Sequence, residues 1–235
     1  MAKNSITFLV YGRYALFTDP VTHLGGEKCS YHIPTYEALK GIVKSIYWKP
    51  TLIWYIKRVR IMKPFRTQTR SMKPIAYDQA GNTLSIYTCL ADVAYQVEAC
   101  FEWNTYRKEL AHDRIDGKHY EIAKRMLAKG GRQDIFLGTR DCQGYVEPCR
   151  FGEGKGAYDD LDELGFGLMF HGFDYPDETG ENMLKARFWR PVMKNGIIEF
   201  IRPEQCDIVK PIHPMKPKVF VQGKNFSGLK EEGLL

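Results

Sequence analysis

Three side chains carry the chemistry that this sequence offers: Tyr47, Lys118 and His119. Lys118-His119 follows Gly117 at the start of a predicted helix, where unpaired amides and the helix dipole favour a phosphate. The same positive end disfavours an imidazolium, so His119 is expected to be neutral near pH 7 and available as a base. Lys118 would supply a fixed positive charge to a pentacovalent phosphorane. Tyr47 ends the first predicted helix, and its hydroxyl could orient or protonate an attacking or leaving oxygen. Together these groups suit metal-independent RNA cleavage. A base takes the 2′-hydroxyl proton, the oxygen attacks the adjacent phosphorus in line, and a 2′,3′-cyclic phosphate and a 5′-hydroxyl result. DNA lacks the 2′-hydroxyl and cannot react this way. Taken singly, a tyrosine at a helix end is ordinarily a core or rim aromatic, and a Lys-His pair at a helix start is ordinarily solvated. Spacing alone does not join residues so far apart.

The elements that would hold them are legible from periodicity. Ile6, Phe8 and Val10 alternate with polar or outward positions and predict a buried strand. Pro34-Thr35 opens a helix in which Tyr36, Leu39, Ile42, Val43 and Ile46 recur at helical spacing, and Pro50 stops it. Residues 51–62 are β-branched and aromatic and predict a strand. Residues 64–88, basic and punctuated by Pro74 and Gly81-Asn82, predict a projecting hairpin or loop insertion. Val93, Tyr95, Val97, Ala99 and Phe101 alternate as a strand. Asp116 is the expected N-cap of a helix over 118–129 that Gly130-Gly131 ends, and a short strand follows at 134–137. The order β-α-β-β-α-β predicts an α+β, ferredoxin-like (RRM-like) domain over residues 1–148 with a basic hairpin insertion. Strand-like runs at 166–174, 186–192 and 197–201, with a turn at Lys194-Asn195-Gly196, predict a small antiparallel β-sheet domain over residues 149–235.

Composition sets the frame. The chain has 235 residues, 44% hydrophobic and 26% charged, which is globular and excludes disorder, collagen and coiled coil. Its apolar runs are far shorter than the roughly 20 residues needed to span a bilayer, and no secretory leader is evident. A cytoplasmic protein without a membrane partner is expected. Six cysteines contain no C-x-x-C pair and are read as free thiols.

Net charge is +6, and its distribution is uneven. Residues 38–77 hold ten Lys or Arg and no acid, whereas 153–181 hold nine acids and one lysine. The first stretch is read as a phosphate-contacting surface, with Lys49, Arg66, Arg70 and Lys73 as RNA-binding candidates and Lys28 just upstream. Trp48 and Trp103 are candidates for base stacking. Gly152-Glu153-Gly154-Lys155-Gly156 lacks phosphate-loop spacing, and His112, Asp113 and Asp116 form no metal-ligand pattern, so no metal and no cofactor are expected.

Long runs then align in order with one family. They are YALFTDPVTHLGGEKCSY at 14–31, PTYEALKGIVKSIYWKP at 34–50 and NTLSIYTCLADVAYQVEACFEWN at 82–104. DGKHYEIAKRMLAKGGRQDIFLGTRDCQGYVEPC at 116–149 and HGFDYPDETG at 171–180 continue the match. The sequence resembles the repeat-processing endoribonucleases of subtype I-C (Dvulg) CRISPR systems. These form a branch of the fifth Cas family within the repeat-associated mysterious protein superfamily. The resemblance implies a ferredoxin-like N-terminal domain and a β-rich C-terminal one. It implies cleavage of the CRISPR precursor transcript within each repeat, at the 3′ base of the repeat hairpin. It also implies retention of the crRNA by its 5′ handle among the other subunits of the type I-C surveillance complex. The family's catalytic tyrosine falls on Tyr47 in SIYWKP, and its lysine and histidine fall on Lys118 and His119 in GKHY. The alternative is a non-catalytic crRNA-binding subunit of such a complex. A metal-dependent DNA nuclease would need a carboxylate cluster that the sequence does not display.

Overall fold

Alternation of small or polar with apolar residues builds β1, Ser5–Ala15, with Ile6, Phe8 and Val10 buried on one face. The computed structural model describes residues 4–20, 22, 27–73 and 84–220. Helix α1, Tyr36–Ile46, starts where the Thr35 side chain accepts from the Ala38 amide, and it buries Tyr36, Leu39, Ile42, Val43 and Ile46. Strands β2 (Leu52–Ile61), β3 (Thr67–Met72) and β4 (Ser85–Trp103) follow. A 3₁₀ turn at Lys108–Asp113 leads into α2, Lys118–Ala128. Its N-cap is Gly117 at φ 78°, not the expected Asp116, and no side chain caps it. A left-handed residue turns the chain into the helix there, which glycine does without strain. Strands β5 (Ile135–Phe136), β6 (Gln143–Pro148), β7 (Glu163–Gly165) and β8 (Met169–Asp174) come next. The short helix α3, Pro176–Thr179, precedes β9 (Met183–Trp189), β10 (Val192–Lys194), β11 (Ile197–Glu199) and β12 (Ile208–Pro214).

The result is a mixed α/β architecture of mostly antiparallel sheets and few helices. One sheet runs β5-β6-β1-β4-β2-β11-β10-β7, with β3 paired to the first half of β4; the other runs β12-β9-β8. Helix α1 packs on β2 and β5, and α2 packs on β1 and β6. The buried sides of these strands and helices form one hydrophobic core. Residues beyond 148 contribute β7, β10 and β11 to the large sheet, through the pairing of β11 with β2. The hairpin between β10 and β11 turns at Asn195 (φ 47°) and Gly196 (φ 74°), the residues that the sequence marks. Two consecutive positive φ values match the twist of the flanking strands. The basic insertion is a strand pair, β3 with residues 85–90 of β4; its expected Gly81-Asn82 turn lies outside the described residues. All six cysteines are free. Among the described residues no helix is long and apolar enough to cross a membrane.

A second buried histidine gives the fold a pH signature. His171 on β8 is fully buried, stacks on Tyr36 with ring centroids 4.2 Å apart and donates to the Ile201 carbonyl at 3.1 Å. Burial, and then the Arg187 charge, push its pKa down to about 3. The unfolded chain therefore binds a proton at His171 below pH 6.5 that the folded chain refuses. Stability is full above that pH and falls by about 1.4 kcal/mol per unit as pH drops from about 6.5 toward 3. Denaturant unfolding between pH 7 and 5 should show this slope. His171→Gln should flatten it, and an unchanged slope in the variant would refute the assignment.

Candidate active site

Tyr47 is the residue after α1 and adopts extended backbone, φ −160° and ψ 131°. That conformation drops its ring into the core, where it is fully buried. Its amide donates to the Val43 carbonyl at 2.9 Å, and its carbonyl accepts the Trp54 indole N–H at 2.8 Å. His119 is the second residue of α2 and is also fully buried. The Tyr47 hydroxyl and His119 Nδ1 lie 2.8 Å apart, and His119 Nε2 lies 2.7 Å from the Asp113 carbonyl oxygen. A carbonyl can only accept, so Nε2 carries the proton and Nδ1 accepts from the Tyr47 hydroxyl. The topology thus joins two residues that sequence spacing could not.

Asp113 organises the rest. Its carboxylate accepts from Thr51 Oγ1 at 2.8 Å, and its two oxygens lie 3.5 Å from Lys118 Nζ and from His119 Nε2. Thr51, just before β2, thereby pins the end of the 3₁₀ turn beside α2. The Trp103 ring meets His119 edge-on at 5.5 Å, which places this aromatic in the site rather than on the surface. Burial lowers the His119 pKa. The Asp113 carbonyl and carboxylate oppose that, while the Lys118 and Lys49 charges add to it, and the net direction is down. The imidazole is therefore neutral at pH 7. The Lys118 side chain is about one-sixth exposed, so the cluster is most open on its side. Asp113, Thr51 and Trp103 were not singled out for these roles by sequence. Asp113 carried only a capping or surface reading, because a carboxylate six residues before a histidine has no recognisable spacing.

The basic stretch divides once folded. Lys40 and Lys44 pair with Glu178, Lys57 and Arg58 with Glu98, Arg60 with Asp159, and Lys63 with Asp92. These six cations find carboxylates from distant segments, which the stretch itself, holding no acid, does not supply. Burial would raise the Glu98 carboxyl, but hydrogen bonds from Lys57 and Arg58 outweigh it and hold the group below its usual range. The remaining four are the RNA-binding candidates of the stretch. Lys49 is buried and lies near enough to His119 to act on its charge. Arg66 and Lys73 are exposed at the two ends of β3. The Arg70 guanidinium lies over Tyr14 at 4.4 Å. Lys28 lies over Tyr87 at 5.0 Å, and Tyr87 is the cross-strand partner of Arg70. Lys28, Arg66, Arg70 and Lys73 therefore gather on the hairpin, whereas Trp103 ends β4 beside His119. That strand has 19 residues, a contour of about 60 Å at ~3.3 Å per residue. Among the described residues, no group of three His, Cys, Asp or Glu side chains is placed to hold a metal ion.

Comparison with known proteins agrees with the sequence resemblance. The family model described as CRISPR-associated protein (Cas_Cas5), of the Cas5d type, matches residues 5–201. A relative from Mannheimia succiniciproducens, named CRISPR pre-crRNA endoribonuclease Cas5d, is 28% identical over 242 residues, covering 88% of this chain and 99% of the relative. The protein of that name from Thermus thermophilus is 30% identical over 149 residues, 59% of this chain and 62% of its own. A crystal structure titled as a CRISPR-associated protein superposes with a TM-score of 0.75 at 35% identity, covering 89% of this chain and 98% of that one. A Streptococcus mutans protein, SMU1763c, described as functionally uncharacterized, gives 0.74 at 35% identity and the same coverage. The chain belongs to the Cas5 family of CRISPR-associated proteins, in its Cas5d branch.

Proposed function

We propose that this chain is an endoribonuclease that cuts the CRISPR precursor transcript within each repeat and keeps the crRNA by its 5′ handle. The activity in the names of the Cas5d relatives supports the substrate class. The observation that carries the chemistry is the Tyr47 hydroxyl on Nδ1 of a neutral His119 whose tautomer the Asp113 carbonyl fixes. In this reading Tyr47 and His119 form one proton relay. The 2′-hydroxyl proton passes to the tyrosine oxygen as the tyrosine proton passes to Nδ1. The 2′-oxygen attacks phosphorus and the P–O5′ bond breaks. The 5′-oxygen takes a proton from water to leave as a hydroxyl, and a 2′,3′-cyclic phosphate forms; the imidazolium returns its extra proton to solvent. Lys118 lies on the open side, where its charge would face the phosphorane. Tyr47 and His119 are covered in the free chain, so RNA binding must uncover the relay from the Lys118 side. The repeat would extend from there toward the cations of the β3 hairpin.

The same reading assigns a ferredoxin-like unit to residues 1–148. The order β6-β1-β4-β2, with α1 and α2 as the crossovers, supports it. It assigns residues from 149 onward to a β-rich part; the sheet β12-β9-β8 supports this among the described residues, while β7, β10 and β11 extend the first sheet. Other subunits of a type I-C surveillance complex are the protein partners in this reading.

The test uses the purified protein, its own repeat RNA and excess EDTA, beside an RNA with one 2′-deoxy substitution at the cut site. Cleavage of the first RNA with a cyclic phosphate end, and survival of the second, is the expected result. Tight binding without cutting of either would make the chain a crRNA-binding subunit and remove the catalytic roles.

A further inference from the structure

A small pocket lies beside the candidate active site, on the same two chain segments. Tyr47 and Trp103 belong to the site; the residues that follow them, Trp48 and Asn104, line the pocket. Pro50 and Leu52 form its apolar floor, and Arg107 closes one side. Its volume is about 150 Å³, the size at which an engineered cavity admits benzene.

One aromatic ring of the chain is already seated at its mouth. Phe220 lies 6.1 Å from the Trp48 ring, and the Arg107 guanidinium lies over Phe220 at 5.0 Å. The segment that brings it there is tied by two backbone hydrogen bonds. The Lys218 carbonyl accepts from Arg107 Nη2 at 2.5 Å, and the Lys218 amide donates to Asp177 at 2.8 Å. Asp177 also pairs with Arg107. The Arg107 side chain is nine-tenths buried, yet its Nε has no hydrogen-bond partner among the described residues. A phenyl ring cannot satisfy that donor. A flat ring with an acceptor on its edge can.

We propose that this pocket is a nucleobase subsite for the single-stranded RNA next to the scissile phosphate, and that Phe220 holds it closed until a base replaces it. The base stacks on Trp48 and turns an edge to Arg107, so that a ring nitrogen or carbonyl oxygen accepts from Nε in the plane of the guanidinium. The inference rests on the endoribonuclease reading for its ligand. Two observations choose RNA over an aromatic side chain of a protein: the shared segments with the site, and the buried Arg107 Nε that has no acceptor among the described residues. Stacking of one base on an aromatic is worth about tenfold or more in affinity. Competition from Phe220 reduces the apparent affinity by the fraction of closed molecules.

The full chain carrying Phe220→Ala tests the proposal against a repeat RNA in which 2-aminopurine replaces, in turn, each nucleotide flanking the cut. Fluorescence should be quenched at one position on binding. Phe220→Ala, which removes a partly buried side chain, should tighten RNA binding by roughly threefold or more. Phe220→Trp, a better plug, should weaken it. Quenching at no position, or weaker binding with Phe220→Ala, would overturn the subsite and leave Phe220 as a structural clasp. The readouts are binding and fluorescence, so they stand apart from cutting. A wild-type chain that quenches one position without cleaving would keep the subsite and refute the endoribonuclease.

Discussion

His119→Ala should lower single-turnover cleavage of repeat RNA by about 10²–10⁴-fold, the usual contribution of a positioned acid or base, with RNA affinity unchanged. Tyr47→Phe should fall in the same range, because the imidazole then has no hydroxyl proton to receive. The two losses should not multiply in the double variant, since one relay is broken in each case. Removing the hydroxyl also leaves His119 Nδ1 buried without a partner, at a cost of about 1–3 kcal/mol of stability. Unfolding must therefore be measured beside the rate. The pH profile adds a signature that a structural role would not produce. Burial, helped by Lys118 and Lys49, holds the His119 pKa below its ordinary value, so the ring is a neutral acceptor at pH 7. Cleavage should be level near neutrality and fall on the acid side, as protonation blocks Nδ1. Asp113→Asn keeps the backbone carbonyl but removes a charge that raises this pKa, so the acid limb should move to lower pH. Loss of RNA binding with His119→Ala, or an acid limb that ignores Asp113, would refute the relay.

Glu178→Gln should be the most destabilising single change outside the site. Glu178 sits on α3 and binds two lysines of α1: Lys40, whose side chain is 2% exposed, and Lys44, whose Nζ lies 3.0 Å away. Burial would push the carboxyl up, but the Lys40 and Lys44 charges outweigh it and hold the group below the usual carboxylate range. The amide leaves a buried ammonium without its counter-charge, a loss of about 3–5 kcal/mol. In a chain of this length that lowers the midpoint of thermal unfolding by roughly 10 °C. Replacing both partners, as Lys40→Met with Glu178→Leu, should recover most of the loss, because two apolar side chains of similar volume need no pairing. The wild-type contribution is present at neutral pH and is lost as pH falls through the carboxylate range; the variants should lack that portion of the acid dependence. A loss below about 1 kcal/mol would mean that water reaches Lys40 and that α3 does not clasp α1 through this pair.

Periodicity and punctuation determined much of this molecule before any contact was known. Alternation over residues 5–15 and 93–101, the 3.6-residue recurrence in α1, Pro50 after that helix and Asn195-Gly196 in the hairpin act over a few residues. Their outcome is written locally. The order of elements followed from the same signals, and the ordered runs of the family match named Tyr47, Lys118 and His119 as candidates.

Other properties belong to the tertiary structure alone. That the Tyr47 hydroxyl meets His119 depends on α1 and α2 packing on different strands of one sheet, α1 on β2 and β5 and α2 on β1 and β6. The tautomer of His119 is set by a backbone carbonyl, which every residue has and no side-chain pattern announces. The basic stretch holds ten cations and no acid, and six of the cations pair with Glu98, Asp92, Asp159 and Glu178 of later segments. Only folding buried Lys49 while leaving Arg66 and Lys73 exposed. Asp113 shows the divide most plainly. In sequence it belongs to no recognisable pattern, and in the fold it lies beside Thr51, Lys118 and His119. Charge and hydrogen bonding act through space and depend on what excludes water, whereas strand and helix preferences act along the chain.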